Sequence, residues 1–135
     1  MKAFDILLGI AQRKAKFDES NTWSSGSDTY LSEIKNEVDE VIEETPKSRK
    51  CYLEDELGDV LWDYLNILTS VEKEVSIDAE AVLKRACKKY EERISGIAIG
   101  KKWSDIKELQ KIALENEHKL NIYRPLKRPL CSSES

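Results

Sequence analysis

Acidic side chains are concentrated in residues 32–44, which read SEIKNEVDEVIEE. Six of these thirteen residues are carboxylates and only one is a lysine. An α-helix turns about 100° per residue, so four of the carboxylates fall within an arc of about 60°: Glu33, Glu37, Glu40 and Glu44. The arc borders the apolar stripe of the same helix, which places these side chains at the edge of the core. Carboxylates there would repel one another and lose hydration, and divalent cations would offset both costs.

A second row of carboxylates, Glu56, Asp59 and Asp63, follows in the next predicted helix. The i, i+3 spacing of Glu37 and Glu40 recurs in Glu56 and Asp59, so adjacent helical turns can reach a common ion. Oxygen ligands without His or Cys favour Mg²⁺, or Mn²⁺, over Zn²⁺. Because Mg²⁺ commonly completes its shell with substrate phosphates, the pattern indicates phosphate-ester or anhydride chemistry. The alternative is that both rows are solvated helix faces.

The spacing of apolar residues predicts five helices, at about residues 2–16, 28–44, 51–71, 78–94 and 104–120. Asp28, Asp78 and Ser104 are the expected N-caps of the second, fourth and fifth helices. No segment alternates with period two, and the connections are short. The sequence therefore predicts an all-α, antiparallel helical bundle.

The composition of the 135 residues, 40% hydrophobic and 36% charged, is typical of a helical protein with a modest core. No apolar run is long enough to span a membrane, and the N-terminal segment is interpreted as an amphipathic helix rather than a signal peptide. Three cysteines without CxxC spacing indicate reduced thiols and a cytoplasmic protein. Residues 28–63 hold 12 acids and 4 bases, which argues against nucleic-acid binding by this region.

Three segments resemble the MazG-type all-α nucleoside triphosphate pyrophosphohydrolases. NEVDEV followed by EDELGDVLWDYLNIL resembles the family's ExxE…ExxD signature, and LKRACKKYEERI, residues 83–94, resembles its Lys-aromatic-xx-Arg segment. NTWSSGSDTYLSEI is similar to the family's Trp-containing loop and the entry to its acidic helix. The resemblance covers roughly residues 1–97, the expected catalytic domain. Residues 98–135 are expected to add one helix and a loose tail containing Pro and Ser.

This resemblance implies Mg²⁺-dependent hydrolysis of a (deoxy)nucleoside triphosphate to the monophosphate and pyrophosphate, in nucleotide pool sanitation or regulation. Four residues match the family's metal ligands: Glu37, Glu40, Glu56 and Asp59. The fuller family pattern is EExxE, and this chain has Asn36 at the first glutamate, for which Glu33 could substitute. Either Glu40 or Glu33 would orient the attacking water. Asp63 would act as an acceptor that contacts the metal ligands without binding the metal itself, or it is merely a polar helix position.

The basic segment supplies candidates for substrate binding. Lys89 and Arg93 would neutralise the outer phosphates, with Arg85 one turn earlier on nearly the same face. The alternative is a solvated basic stripe, or salt bridges to neighbours such as Glu92. In the polar loop, Trp23 would stack on a nucleobase, or else pack against the bundle or a partner subunit.

Further features predict self-association. Trp62 points away from the main apolar stripe of the third helix, which suggests a second buried surface and, with the resemblance, a homodimer or dimer of dimers. Gly58 is expected to let a neighbouring helix approach closely, and Tyr90 is expected in the core. Two alternatives stay open: a phosphoribosyl-ATP or dUTP/dCTP-type pyrophosphohydrolase of the same fold, or a non-catalytic acidic module that docks a basic partner. Neither nucleic acid nor a membrane is expected as a partner.

Overall fold

The computed structural model describes residues 2–20 and 26–123, and every regular element in these ranges is helical. There are five α-helices: α1 Lys2–Glu19, α2 Ser27–Glu44, α3 Lys50–Val75, α4 Ala79–Ala98 and α5 Trp103–Tyr123. A short 3₁₀ turn, Thr45–Lys47, joins α2 to α3. The predicted all-α class is confirmed, and each helix lies within a few residues of its expected position.

The chain divides into two compact units, Met1–Val82 and Leu83–Ser135, and the boundary falls inside α4. Each unit is described by itself below. The functional division at residues 97 and 98 that the sequence suggests stays a prediction. Within the described residues, no helix combines the length and apolar content that crossing a membrane requires.

The core of the first unit is built where α1 meets α3. Its buried residues are Ala11, Leu65, Leu68 and Ala79, and the partly buried side chains packed against them are Phe4, Leu7, Leu8, Leu61, Trp62 and Val82. The interpretation of Trp62 as part of a separate surface is therefore wrong, since its indole packs against the core of its own unit. Burial of these apolar groups is the main stabilising contribution here.

Two polar contacts at opposite ends show that α2 and α3 run antiparallel. At the connecting turn, Arg49 donates two hydrogen bonds of 2.8 and 2.7 Å to the buried Glu44 carboxylate. At the far end, the Ser27 amide and hydroxyl donate to Glu74 at 2.7 and 2.6 Å. These bonds lower the pKa of Glu74. The long α3 is thus fixed to α2 at both ends, and the segment between carries the acidic rows.

The start of α2 differs from the sequence expectation. Asp28 lies inside the first turn, and the residue before the helix is Gly26, with φ 73°. A Cβ at Gly26 would meet the Glu74 carboxylate, which would have to shift, and the positive φ itself favours glycine at this position. Because Glu74 reaches over from α3 to accept the Ser27 N–H, α2 needs no cap from its own sequence.

In the second unit, a tight turn reverses the chain between α4 and α5. The Lys101 and Gly100 amides donate to the Gly96 and Ile97 carbonyls, both at 2.9 Å, and Gly100 has φ 92°. This pattern ends a helix with a left-handed glycine. Ser104, expected as the cap of α5, lies within that helix, which begins at Trp103. The Asp78 cap of α4 is confirmed, since Asp78 accepts the Glu80 N–H at 3.1 Å.

Candidate functional site

The acidic row of α2 is only partly buried, since Glu33 and Glu40 are exposed. Tyr30 and Glu44 are buried and Glu37 is half-buried. The outer apolar stripe of α2 is instead exposed: Leu31, Val38 and Ile42. The sequence predicted acids at the border of a buried apolar face. The structure agrees for Ile34 and Val41, which are half-buried on the side next to Glu37, whereas the outer part of the apolar stripe faces outward.

Three of the four predicted metal ligands come together between α2 and α3. Glu37, Glu56 and Asp59 each offer one carboxylate oxygen, and these oxygens all lie within 4.8 Å of one another. Oxygens bound to a single Mg²⁺ or Ca²⁺ lie at most about 4–5 Å apart, given metal–oxygen distances of about 2.0–2.6 Å. The three carboxylates are therefore close to the spacing that one cation needs.

The other predicted acids surround this group. Glu40 lies within hydrogen-bonding reach of Glu56, although it is not one of the three grouped ligands. Asp63 is buried, and its charge interacts with those of Glu33 and Asp59. The candidate ligands and their two supporting acids, Glu33 and Asp63, thus interact within one region of the α2–α3 contact.

Burial and mutual repulsion raise the pKa values of these carboxylates. Burial, followed by the charges of Glu40, Asp59, Asp63 and Glu56, raises the pKa of Glu37 to about 6. The pKa values of Glu56, Asp59 and Asp63 are raised as well, with burial as the largest cause of each. In the described part of the chain, no Lys or Arg forms an ion pair with any of these four acids. Among the described residues, nothing therefore compensates their charge.

Two oxygen atoms of this region could serve as ligands of a cation. Glu37 Oε2 and Asp63 Oδ2 are buried without a hydrogen-bond partner among the described residues. A buried acceptor left in that state is costly, and a cation would satisfy it. A site of carboxylate oxygens alone suits Mg²⁺ or Mn²⁺. By contrast Glu44, on the same helix face, is paired with Arg49, which lowers its pKa, and it is not available as a ligand.

The predicted substrate-binding bases lie in the second unit. Arg85, Lys89 and Arg93 line a cleft of about 650 Å³ between α4 and α5. Arg85 donates two hydrogen bonds to Glu117, at 3.1 and 2.7 Å, so its charge is already paired. Arg93 is buried, and its Nε donates to Gln110 at 2.9 Å.

Tyr90 differs from its expected place in the core, because it is half-exposed and stacks beside the Arg93 guanidinium. Trp23, the proposed nucleobase contact, lies outside the described residues. Sequence reasoning assigned nothing to the α5 wall of the cleft, which includes Lys107, Gln110 and Lys111. The available signal was the i, i+4 spacing of the two lysines, which puts both on one face of α5.

Five helices, two of them antiparallel with a cluster of carboxylates between them, place this chain among the all-α proteins. Within this class, the MazG nucleotide pyrophosphohydrolase domain matches residues 25–96, more than half of the chain. The chain belongs to the MazG nucleotide pyrophosphohydrolase domain family, and the resemblance drawn from its motifs is confirmed. No curated protein and no solved structure gives a significant match.

Proposed function

We propose that this protein hydrolyses a nucleoside or deoxynucleoside triphosphate to the monophosphate and pyrophosphate, with Mg²⁺ as the cofactor and Mn²⁺ as a substitute. The family supports nucleotide pyrophosphohydrolase activity in general. The observation that carries the metal dependence is the convergence of Glu37, Glu56 and Asp59, together with the buried, unpartnered oxygen of Glu37.

The carboxylates are proposed to have different roles in binding the cation and orienting the water. Glu37, Glu56 and Asp59 would hold the cation, with Glu40 as a fourth ligand beside them. When bound, Mg²⁺ neutralises charge on the polyphosphate oxygens and makes the phosphorus a better electrophile. Glu40 or Glu33 orients the attacking water, and the proximity of Glu40 to Glu56 favours Glu40. Asp63, which is buried and interacts electrostatically with Asp59, would support the ligands without binding the cation itself.

Lys89 and Arg93 are proposed to bind the outer phosphates, and Trp23 to stack on the base. Arg85 would join them only by leaving Glu117. The preferred base and sugar stay open, and phosphoribosyl-ATP, dUTP and dCTP are all candidates of the same reaction type. We also propose that the protein is cytoplasmic and assembles as a homodimer or dimer of dimers. The exposed apolar stripe of α2 supports the assembly, since a second copy would remove it from water.

The decisive experiment incubates the protein with ribo- and deoxynucleoside triphosphates and Mg²⁺, and identifies the products. Wild type should release monophosphate and pyrophosphate, and EDTA should abolish the reaction. Glu56→Gln should reduce kcat about 100-fold or more, because a metal-holding charge is lost. Glu54→Gln is the matched control, since Glu54 is exposed two residues away and outside the carboxylate group, and it should keep full activity.

Release of diphosphate and orthophosphate would mean that a different bond is cut. Absence of any product would favour the non-catalytic acidic module. That module would bind its partner less tightly as salt is added, with no need for a divalent ion.

A further inference from the structure

The cleft between α4 and α5 has an excess of positive charge. Six basic side chains line it: Arg85, Lys88, Lys89, Arg93, Lys107 and Lys111. Three acidic ones do so too: Glu92, Glu108 and Glu117. All of these residues belong to the second unit, so the cleft is complete within one compact body.

Internal ion pairs neutralise only part of this charge. Arg85 pairs with Glu117 at 2.7 Å, and Lys88 pairs with Glu92 at 3.1 Å. In the chain as described, no carboxylate lies within ion-pair distance of the four other bases, Lys89, Arg93, Lys107 and Lys111. Two of these bases come from each wall of the cleft, so the unpaired charge faces inward from both helices.

Arg93 is the residue that most requires an anion. Its side chain is only 8% exposed, yet its hydrogen-bond partner is the neutral amide oxygen of Gln110. The rings of Tyr90 and Trp103 flank its guanidinium, each at 5.1 Å, and compensate its charge only in part. A buried guanidinium stays charged and is costly without a counter-ion. An anion entering the cleft would supply that counter-ion.

The Arg93 side chain is also held in place before any ligand arrives. Gln110 is itself fixed, because its amide donates to the Lys89 carbonyl at 2.9 Å and to Glu92 at 3.0 Å. With Nε engaged by Gln110 and both rings stacked beside it, the guanidinium loses little freedom on binding an anion. This is the arrangement of a prepared site rather than of a solvated basic stripe.

We propose that α5 completes an oligophosphate-binding site in this cleft, in which Lys107 and Lys111 contact the same phosphate chain that Lys89 and Arg93 contact from α4. Four unpaired cations along two facing helices match a chain of several phosphates better than a single small anion, and both Arg and Lys suit phosphate oxygens. The inference rests on the proposed function in taking this chain to be that of the nucleotide substrate. It adds α5, which lies outside the residues matched by the family, to the binding machinery.

The test measures binding of inorganic tripolyphosphate by calorimetry in the presence of EDTA. This ligand has no base or sugar, and EDTA removes the route through divalent cations. Wild type should bind, and added KCl should weaken binding. The double variant Lys107→Gln/Lys111→Gln should bind at least tenfold more weakly. The double variant Lys102→Gln/Lys119→Gln is the matched control, because it removes two exposed lysines that do not line the cleft, and it should bind within about twofold of wild type.

Circular dichroism checks that both double variants keep the helical content of wild type. Failure of wild type to bind tripolyphosphate, or equal binding by wild type and the Lys107/Lys111 variant, overturns the inference whatever the turnover experiment gives. Selective loss of binding in that variant supports the site even if no triphosphate is hydrolysed, in which case only the proposed function fails. If turnover is observed, the same variant should raise KM more than it lowers kcat.

Discussion

Glu37 and Glu44 lie on the same face of α2, two helical turns apart, yet their environments shift their pKa values in opposite directions. Burial and four neighbouring acids raise the pKa of Glu37 to about 6, whereas the Arg49 guanidinium lowers the pKa of Glu44. A buried acid with its own base is a structural ion pair. A partly buried acid among other acids is destabilised in its charged form, and we propose that a bound cation relieves this cost.

This cost predicts how stability depends on pH without divalent ions. The folded-state pKa of Glu37 exceeds its unfolded value of 4.5, so between those values the folded protein binds more protons than the unfolded chain. The free energy of unfolding contributed by Glu37 therefore falls as pH rises from about 4.5 to above 6. In EDTA, the Tm of wild type should be lower at pH 7.5 than at pH 5.5, by a few degrees.

Glu37→Gln should raise the Tm in EDTA at pH 7.5 and flatten the profile, because the neutral amide cannot be deprotonated. Mg²⁺ should raise the Tm of wild type more at pH 7.5 than at pH 5.5, since protons compete with the cation. Glu54→Gln should behave as wild type. If the Tm of Glu37→Gln in EDTA depended on pH as the Tm of wild type does, the Glu37 carboxylate would not be the source of that dependence.

At the scale of elements, α3 has an apolar face that packs toward α1 and an acidic face that lies toward α2. Leu65 and Leu68 pack toward α1, while Glu56, Asp59 and Asp63 face the acids of α2. The fixed ends of the α2–α3 pair, at Glu44 and at Glu74, keep the acidic rows in register. Repulsion in the middle of the pair is thus resisted by polar contacts at its ends.

The helical glycines give a direct test of packing at this scale. A Cβ at Gly58 would meet nothing within 4 Å, contrary to the expected close approach, whereas one at Gly96 would collide with Ile106. Gly58→Ala should stabilise the protein by about 0.5–1 kcal/mol, because alanine costs less conformational entropy in a helix. Gly96→Ala should destabilise it by about 1–3 kcal/mol through overpacking. Urea unfolding followed by circular dichroism measures both.

The two variants control for each other, because each replaces a glycine inside a helix by alanine and only the packing around the new methyl group differs. If Gly58→Ala destabilised the protein, the cause would be a partner packed on that surface. The helix that approaches Gly58 closely would then belong to a second copy of the chain.

At the scale of the whole molecule, the two groups of candidate functional residues belong to different compact units. The carboxylate group belongs to Met1–Val82, and the basic cleft belongs to Leu83–Ser135. The first unit also leaves an apolar stripe of α2 uncovered on the side away from its acids. Assembly with a second copy is the proposal that would cover this stripe.

Ile42→Gln should therefore shift the protein toward the monomer, as measured by light scattering after size-exclusion chromatography. Ile42 is 64% exposed, and its loss to a polar residue would remove apolar contact area from the interface. Ile6→Gln is the matched control, since Ile6 on α1 is 58% exposed and outside the stripe, and it should leave the assembly unchanged. Equal masses for wild type and both variants would remove α2 from the interface.

Much of this protein could be predicted from local pattern. A period of 3.6 residues placed the five helices, and the i, i+3 spacing selected acids that the structure does bring together between α2 and α3. The same reasoning failed for Tyr90, Trp62 and the cap of α2. In each case the outcome depends on residues distant in sequence: the Tyr90 ring stacks on a guanidinium that is buried against α5, and Glu74 caps α2 from the far end of α3.

By itself, the sequence determined the helical class, the family and the set of carboxylates, because these follow from side-chain type and from the fixed geometry of a helix. Only the tertiary structure decided which face of α2 is buried and that α5 lines the basic cleft. It also decided that Arg49 neutralises Glu44, whereas no base in the described ranges pairs with Glu37. A helix pattern specifies which residues share a face, but the partner helix selects the face that loses water.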